Sequence, residues 1–297
     1  MHRGEAWSSI VLAVTLLSGT AYAKDWGDEA TNHPVLPVVS PPVTVPEVSN
    51  APASAESGDA VDHNRVGMSL ANKGDLDGAI RQFQQALNLD PNDATAHNNL
   101  GVALEHKGDV DGAIHQLQQA LSLNPNDGKA HYDIGLVLLE HKGDVDGAIR
   151  QFRQALSLNP DDAAAYNNLG VALEHRGDVD GAIHQFRQAL GLNPNDTDTH
   201  RNLGAALEKR GDLDGAIREY LRILGSNPND ADTHNNLGGA LAKKGYLDGA
   251  IRQFRQALRL DPDNGMARRN LAVALETKPP RYSAPSEAWA GSSTNAP

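Results

Sequence analysis

Between residues 60 and 277 apolar side chains recur three and four positions apart in short runs, most of them closed by a glycine or by an Asn-Pro or Asp-Pro pair. This is the spacing of helices with one apolar stripe. In residues 94–127 the first run carries Leu100, Gly101 and Leu104, and the second carries Ala113, Leu117, Ala120 and Leu121, with Gly108-Asp109 between them. The pattern predicts two antiparallel helices whose small residues let the backbones approach while leucine and phenylalanine fill the gaps. Aspartates stand where free N–H groups need acceptors: Asp59, Asp93, Asp127, Asp162, Asp196 and Asp230 before first helices, and Asp75, Asp109, Asp144, Asp178 and Asp212 before second ones. Pro91, Pro125, Pro160, Pro194, Pro228 and Pro262 end the second helices.

The pair recurs with a period of 34 residues, as units 60–93, 94–127, 128–162, 163–196, 197–230 and 231–264. Units 94–127 and 163–196 agree at 28 of 34 positions, more than helical amphipathicity requires, which marks duplicated copies. Unit 128–162 has 35 residues. The extra residue falls around Leu138-Leu139, either as a bulge in the first helix or in a longer turn, and the intact Glu140-His141-Lys142-Gly143-Asp144 favours the bulge. Residues 265–277 form a further first helix without a partner, a solvating cap in which Leu271 and Leu275 are expected to cover the last unit.

Gly101, Ala113, Leu117, Ala120 and Pro125 in one unit, and Gly170, Ala182, Phe186, Ala189 and Pro194 in another, stand at the eighth, twentieth, twenty-fourth, twenty-seventh and thirty-second positions. This pattern resembles the tetratricopeptide repeat family over residues 60–264. Departures are Leu117 and Tyr220 for phenylalanine, Ile223 for alanine, and His or Tyr where the family has tryptophan. The resemblance implies an all-α, right-handed superhelical solenoid of six helix-turn-helix units and a C-terminal capping helix, whose concave groove binds peptides.

The ends differ from the repeats. His2 and Arg3, an apolar stretch from Ile10 to Leu17 and Ala21-Tyr22-Ala23 predict a cleaved secretory signal, residues 1–23, too short for a membrane span. Prolines at 34, 37, 41, 42, 46 and 52 predict an extended linker over 24–58, and residues 279–297 a disordered tail, leaving 59–278 as the repeat domain. The expected location is periplasmic or secreted. A net charge of -12 argues against nucleic-acid binding, and the absence of cysteine excludes disulfides and thiolate metal sites.

The sixth position is Asn99, Asn168, Asn202, Asn236 and, in the cap, Asn270, interrupted by Arg65 and Asp133. This is similar to the asparagine ladder in the tetratricopeptide repeats of the O-linked N-acetylglucosamine transferases, which implies that these side chains hold a peptide backbone. Asparagine donates and accepts at once, so it suits any peptide sequence. Arg201, Lys209, Lys243 and Arg269 are candidate contacts for an acidic ligand. The basic clamp of heat-shock chaperone adaptors is absent, since the ninth position holds residues such as Val102, Val171 and Ala205.

Histidines at the fourth position (His63, His97, His131, His200, His234) and at His106, His141 and His175 are expected to be structural, because equivalent residues of successive units lie too far apart to share an ion. Gly-Asp-Val-Asp-Gly lacks the later ligands of a calcium loop. No catalytic constellation and no phosphate-binding glycine loop recurs, so neither an enzyme, a cofactor nor a metal is expected. The function expected is that of a scaffold for an extended peptide or partner protein, with envelope polysaccharide binding or an export or assembly accessory role as the alternative. N-terminal sequencing of native material is expected to begin at Lys24; mature protein retaining Met1 would refute the signal.

Overall fold

The computed structural model describes residues 55–277, an all-α array of thirteen helices and one π-helical turn. First and second helices alternate: α1 (Ala55–Asn72) and α2 (Leu76–Leu89), α3 (Ala94–His106) and α4 (Val110–Leu123), α5 (Gly128–Val137) and α6 (Val145–Leu158), α7 (Ala163–His175) and α8 (Val179–Leu192), α9 (Thr197–Lys209) and α10 (Leu213–Ser226), α11 (Ala231–Lys243) and α12 (Leu247–Leu260), with α13 (Gly265–Thr277) closing the series. Each helix packs on its neighbours in sequence, and first helices also approach the first helices of adjoining units. Second helices do not approach one another to that degree, so the solenoid curves with first helices inside. The expected signal, most of the linker and the tail lie outside the described residues.

Within each unit the closest approach is set by glycine. A Cβ on Gly170 would lie 2.6 Å from the Phe186 ring, and the same approach recurs at Gly67, Gly135, Gly204 and Gly238 against Phe83, Phe152, Tyr220 and Phe254. These rings are at most 1% exposed, each burial contributing about 2–3 kcal/mol. Leu117 fills the same place against Gly101.

The caps follow the aspartates. Asp93 accepts from Ala96 N at 3.0 Å, Asp162 from Ala165 N at 2.9 Å and Asp230 from Thr233 N at 2.9 Å. Asp109 and Asp178 do the same for Gly112 N and Gly181 N at the starts of α4 and α8. Gly177, with φ of 89°, takes the left-handed conformation that ends α7, and Asp178 N then bonds to Leu173 O at 2.9 Å.

Two expectations are revised. Helix α1 begins at Ala55, so Asp59 lies inside it and is not its cap; no proline interrupts residues 53–58, and the helix extends back into the expected linker. In α13 the buried stripe is Ala267, Asn270 and Ala274, with Leu271 beside it, while Leu275 lies off the stripe and is 47% exposed. Tyr246 stands where other second helices have a capping aspartate and makes no side-chain cap bond. The extra residue of the third unit is a bulge: Leu138–Lys142 forms a π-helical turn ended by Gly143 at φ 63°.

Gly170→Ala is expected to destabilise the protein by about 1–3 kcal/mol, because Phe186 is closed in on all sides and cannot retreat without off-rotamer strain. Urea denaturation followed by circular dichroism measures it; an unchanged midpoint would show that the helix pair can open at no cost.

Candidate functional site: the inner face of the first helices

The asparagines of the sixth position lie on the inner helices, and they are buried. Asn168 and Asn202 are 0% exposed, Asn236 3%, Asn270 4% and Asn99 8%. Most of them reach back to the fifth position of the preceding unit. Asn99 Nδ2 donates to Asn64 Oδ1, Asn202 Nδ2 to Asn167 Oδ1 and Asn270 Nδ2 to Asn235 Oδ1, each at 3.0 Å, and Asn168 Nδ2 donates to Tyr132 Oη at 2.8 Å. In the third unit the polarity reverses: Asp133 accepts from Asn98 Nδ2 at 3.0 Å and from Lys129 Nζ at 2.9 Å. Asn236 follows Arg201, which is bound elsewhere, and accepts from Asn235 at 3.4 Å instead. In this structure these amides are inter-repeat ties, because adjoining first helices come close enough to cover them.

The cationic candidates are committed in the same way. Arg201 binds Asp198 at 2.7 Å and Asp230 at 2.9 Å, Lys209 binds Glu174 at 2.6 Å, and Lys243 lies 3.4 Å from Glu208. Arg201 and Asp230 show the expected electrostatic consequence: the carboxylates raise the guanidinium above its ordinary value against its burial, and Thr233 N–H with Arg201 lowers Asp230 against its own. Arg269 lies exposed against Met266 and makes no ion pair among the described residues. Arg201, Lys209 and Lys243 are thus paired with carboxylates of the protein itself in this structure.

Histidines of the fourth position tie three elements together. The ring of His97 meets Gln116 on its own second helix at 2.7 Å and the carbonyl of Pro91 in the preceding unit at 3.2 Å, and His131 and His234 repeat this with Gln151 and Pro125, and Gln253 and Pro228. At His200 the partners are the carboxylate of Glu219 at 2.7 Å and the carbonyl of Pro194 at 2.9 Å. Both accept only, so both ring nitrogens must donate and the imidazole is charged. Accordingly the Glu219 hydrogen bond raises His200 and lowers Glu219. His200 contributes stability at low pH that is lost as pH rises through its raised value, and Glu219 contributes stability at higher pH that is lost as pH falls through its lowered one. The pair therefore stabilises most between the two.

Sequence reasoning missed the partners of these groups. The fifth-position acceptors Asn167 and Asn235 were signalled by the repeated Asn-Asn doublet, and the carboxylates Glu174 and Glu208 by the Leu-Glu that precedes each terminal base. Glu208 is held between Lys243 and the hydroxyl of Tyr220, which donates to it at 2.8 Å, and burial raises its pKa.

Polar capacity remains on this face. Among the described residues, the buried side-chain atoms with no hydrogen-bond partner in the protein are Asn98 Oδ1, Glu174 Oε2, Arg201 Nε and Asn202 Oδ1, while Glu208 Oε2 has only Lys243 Nζ at 3.4 Å and Thr233 Oγ1 is directed to Asp230. All belong to first helices α3, α7, α9 and α11. Beside them, a cleft of about 210 Å³ opens between the fourth and fifth units, with Asn167, Asn193, Asp196 and Thr199 in its wall.

Asn202→Ala is expected to lower stability by about 2 kcal/mol, since it empties a buried site and removes a donor from Asn167. An exposed asparagine in a helix would give the opposite sign on the same change, a small gain from helix propensity. Chemical denaturation distinguishes the two.

Comparison with known proteins agrees with this geometry. Tetratricopeptide repeat models match residues 139–197 and 176–231, and 94–127 and 231–264, and a TPR repeat model matches 67–108. Among curated proteins no relative is matched. Of solved structures, the Cut9–Hcn1 hetero-tetramer of the APC/C superposes with a TM-score of 0.60 at 25% identity, covering 73% of this chain and 43% of that one, so this chain spans less than half of that relative. YrrB, described as a TPR protein with an unusual peptide-binding site, gives 0.57 at 25% identity over 63% of this chain and 96% of its own. PilF of Pseudomonas aeruginosa gives 0.66 at 19% identity over 74% and 100%, a likeness of fold alone. With the glycine-on-ring contact and the capping aspartates recurring in phase, and family models matching across 67–127 and 139–264, the chain belongs to the tetratricopeptide repeat family.

Proposed function

We propose that the protein is a non-catalytic scaffold that holds an extended segment of a partner polypeptide along the inner face of its first helices, in the envelope or outside the cell as its N-terminal segment implies. The observation that carries the reading is that the buried side-chain atoms left without a hydrogen bond among the described residues, Asn98 Oδ1, Glu174 Oε2, Arg201 Nε and Asn202 Oδ1, all lie on those helices. Buried polar groups are nearly always satisfied, and a face that leaves both acceptors and a donor unused has the chemistry to meet a peptide backbone. The buried ladder fits this reading. An amide tied to a neighbouring amide exchanges one bond for another of the same kind when a peptide group replaces the neighbour, so Asn99, Asn168, Asn202, Asn236 and Asn270 act as rungs once adjoining first helices part. A protein-interaction scaffold is also what the peptide-binding site of the similar YrrB supports. Among the described residues no helix is long and apolar enough to cross a membrane.

The test places a photo-crosslinking residue at Thr95, Val102 or Asp232 on first helices, and at Gln119, Arg187 or Arg255 on second helices, in the mature protein within its native envelope. Capture from the first-helix positions is expected, and the captured segment, made as a peptide, should bind the purified protein and lose about tenfold in affinity on Asn202→Leu. Capture confined to second helices, or a captured segment that does not bind, overturns the reading.

A further inference from the structure

We propose that Glu105, Glu140 and His141 form a binding site for one divalent transition-metal ion of the zinc class, at the junction of the second and third repeats.

Two later junctions pair a carboxylate with a lysine at the same register. Glu174 and Glu208 close the last turns of α7 and α9, and each is met by the lysine that ends the next first helix, Lys209 and Lys243. An ammonium neutralises a carboxylate and has no lone pair to offer. At the second junction the carboxylate is Glu105 and the base is His141, with Nε2 at 2.7 Å from Glu105 Oε1. Imidazole changes the chemistry, because in its neutral form it leaves the charge uncompensated and presents a metal-ligating lone pair.

The π-helical turn then adds the second carboxylate. Glu140, in the same turn as His141, has Oε2 3.9 Å from His141 Nε2. One ligand atom from each of Glu105, Glu140 and His141 lies within 4.8 Å of the other two. A tetrahedral zinc ion with bonds of about 2.0–2.1 Å spaces its donors about 3.3 Å apart, so the cluster closes on an ion by rotation of exposed side chains. His106 Nδ1, 3.5 Å from Glu105 Oε2, stands where an outer partner would orient that carboxylate.

Nearby cations do not take the metal's place. Lys107 and Lys142, next in sequence to the two histidines, are paired with Asp77 and Asp111 on the second helices of the preceding units. Two carboxylates and one imidazole favour zinc, cobalt, nickel or manganese over calcium, which takes six to eight oxygens. The structural reading of the histidines thus fits the fourth position but not His141, where the converging donors come from two adjoining repeats and not from equivalent positions along the array. A bound ion would tie α3 to the irregular turn that follows α5.

Zinc titration of the mature protein by calorimetry, with cobalt absorption as the reporter of donor geometry, tests the site. Because the chain holds 12 histidines, the controls carry the argument. His141→Lys recreates the Glu174–Lys209 pair and keeps the fold, and His175→Lys makes the same change on an exposed histidine one repeat later. One equivalent of zinc is expected to bind the parent protein and the His175→Lys variant alike. His141→Lys should weaken that event by about a hundredfold and Glu140→Gln by about tenfold, with unchanged circular dichroism. Failure of the parent to bind one equivalent, or equal binding by His141→Lys, overturns the proposal and leaves the His141–Glu105 contact as a hydrogen-bonded pair.

Discussion

Everything in the array depends on how closely one helix can approach the ring that faces it. A hydrogen at the eighth position, where any other residue would carry a β-carbon, lets the Phe186 ring come up against the backbone of α7, and the approach recurs in every unit, with Leu117 in place of a ring in the second. That distance sets the angle of the helix pair. With the pairs alike, the first helices are brought side by side, and the polar chemistry of the inner face follows from that proximity. Had the pairs been more open, Asn202 and Asn167 would face solvent separately; because they are close, Asn202 donates to Asn167.

How far the fold could be read from sequence follows from the reach of each determinant. Caps, turns and the glycine-on-ring contact are local, and a period of 34 displays them six times over, so the elements and even the bulge at Leu138 were legible. The candidate site was less so. Helical spacing tells which side of a helix Asn168 occupies, but not whether the next helix covers that side. The tie from Asn202 to Asn167 spans 35 residues, one repeat and one step, and shows in the sequence only as an unremarked doublet. The partners of Lys209 and Lys243 were hidden for the same reason, since their carboxylates belong to the repeat before. Sequence periodicity exposes what a unit does within itself and hides what it does to its neighbour.

The junctions are correspondingly polar. Helix pairs are sealed internally by alanine, leucine and phenylalanine, whereas across repeats the contacts include amide pairs, the histidine bridges to Pro91 and Pro194, and a row of ion pairs along the turns. Polar contacts between exposed or half-exposed partners contribute modestly, so the boundaries between repeats are softer than their interiors. A peptide that binds by exchanging amide for amide has its opportunity at such boundaries.

The irregular third unit has a consequence for how the chain finds its register. Units as alike as 94–127 and 163–196 are nearly interchangeable, and a chain of interchangeable units can pair a helix with the wrong copy of its partner at almost no cost in contacts, the typical error of repeat proteins. A unit that is one residue longer ends that ambiguity. Its hydrogen bonds fall at offsets the others lack, as in His131 with Gln151 and Asn168 with Tyr132, and its π-helical turn fits no other partner. The array thus carries one keyed position, and neighbours assembled outward from it inherit the right count.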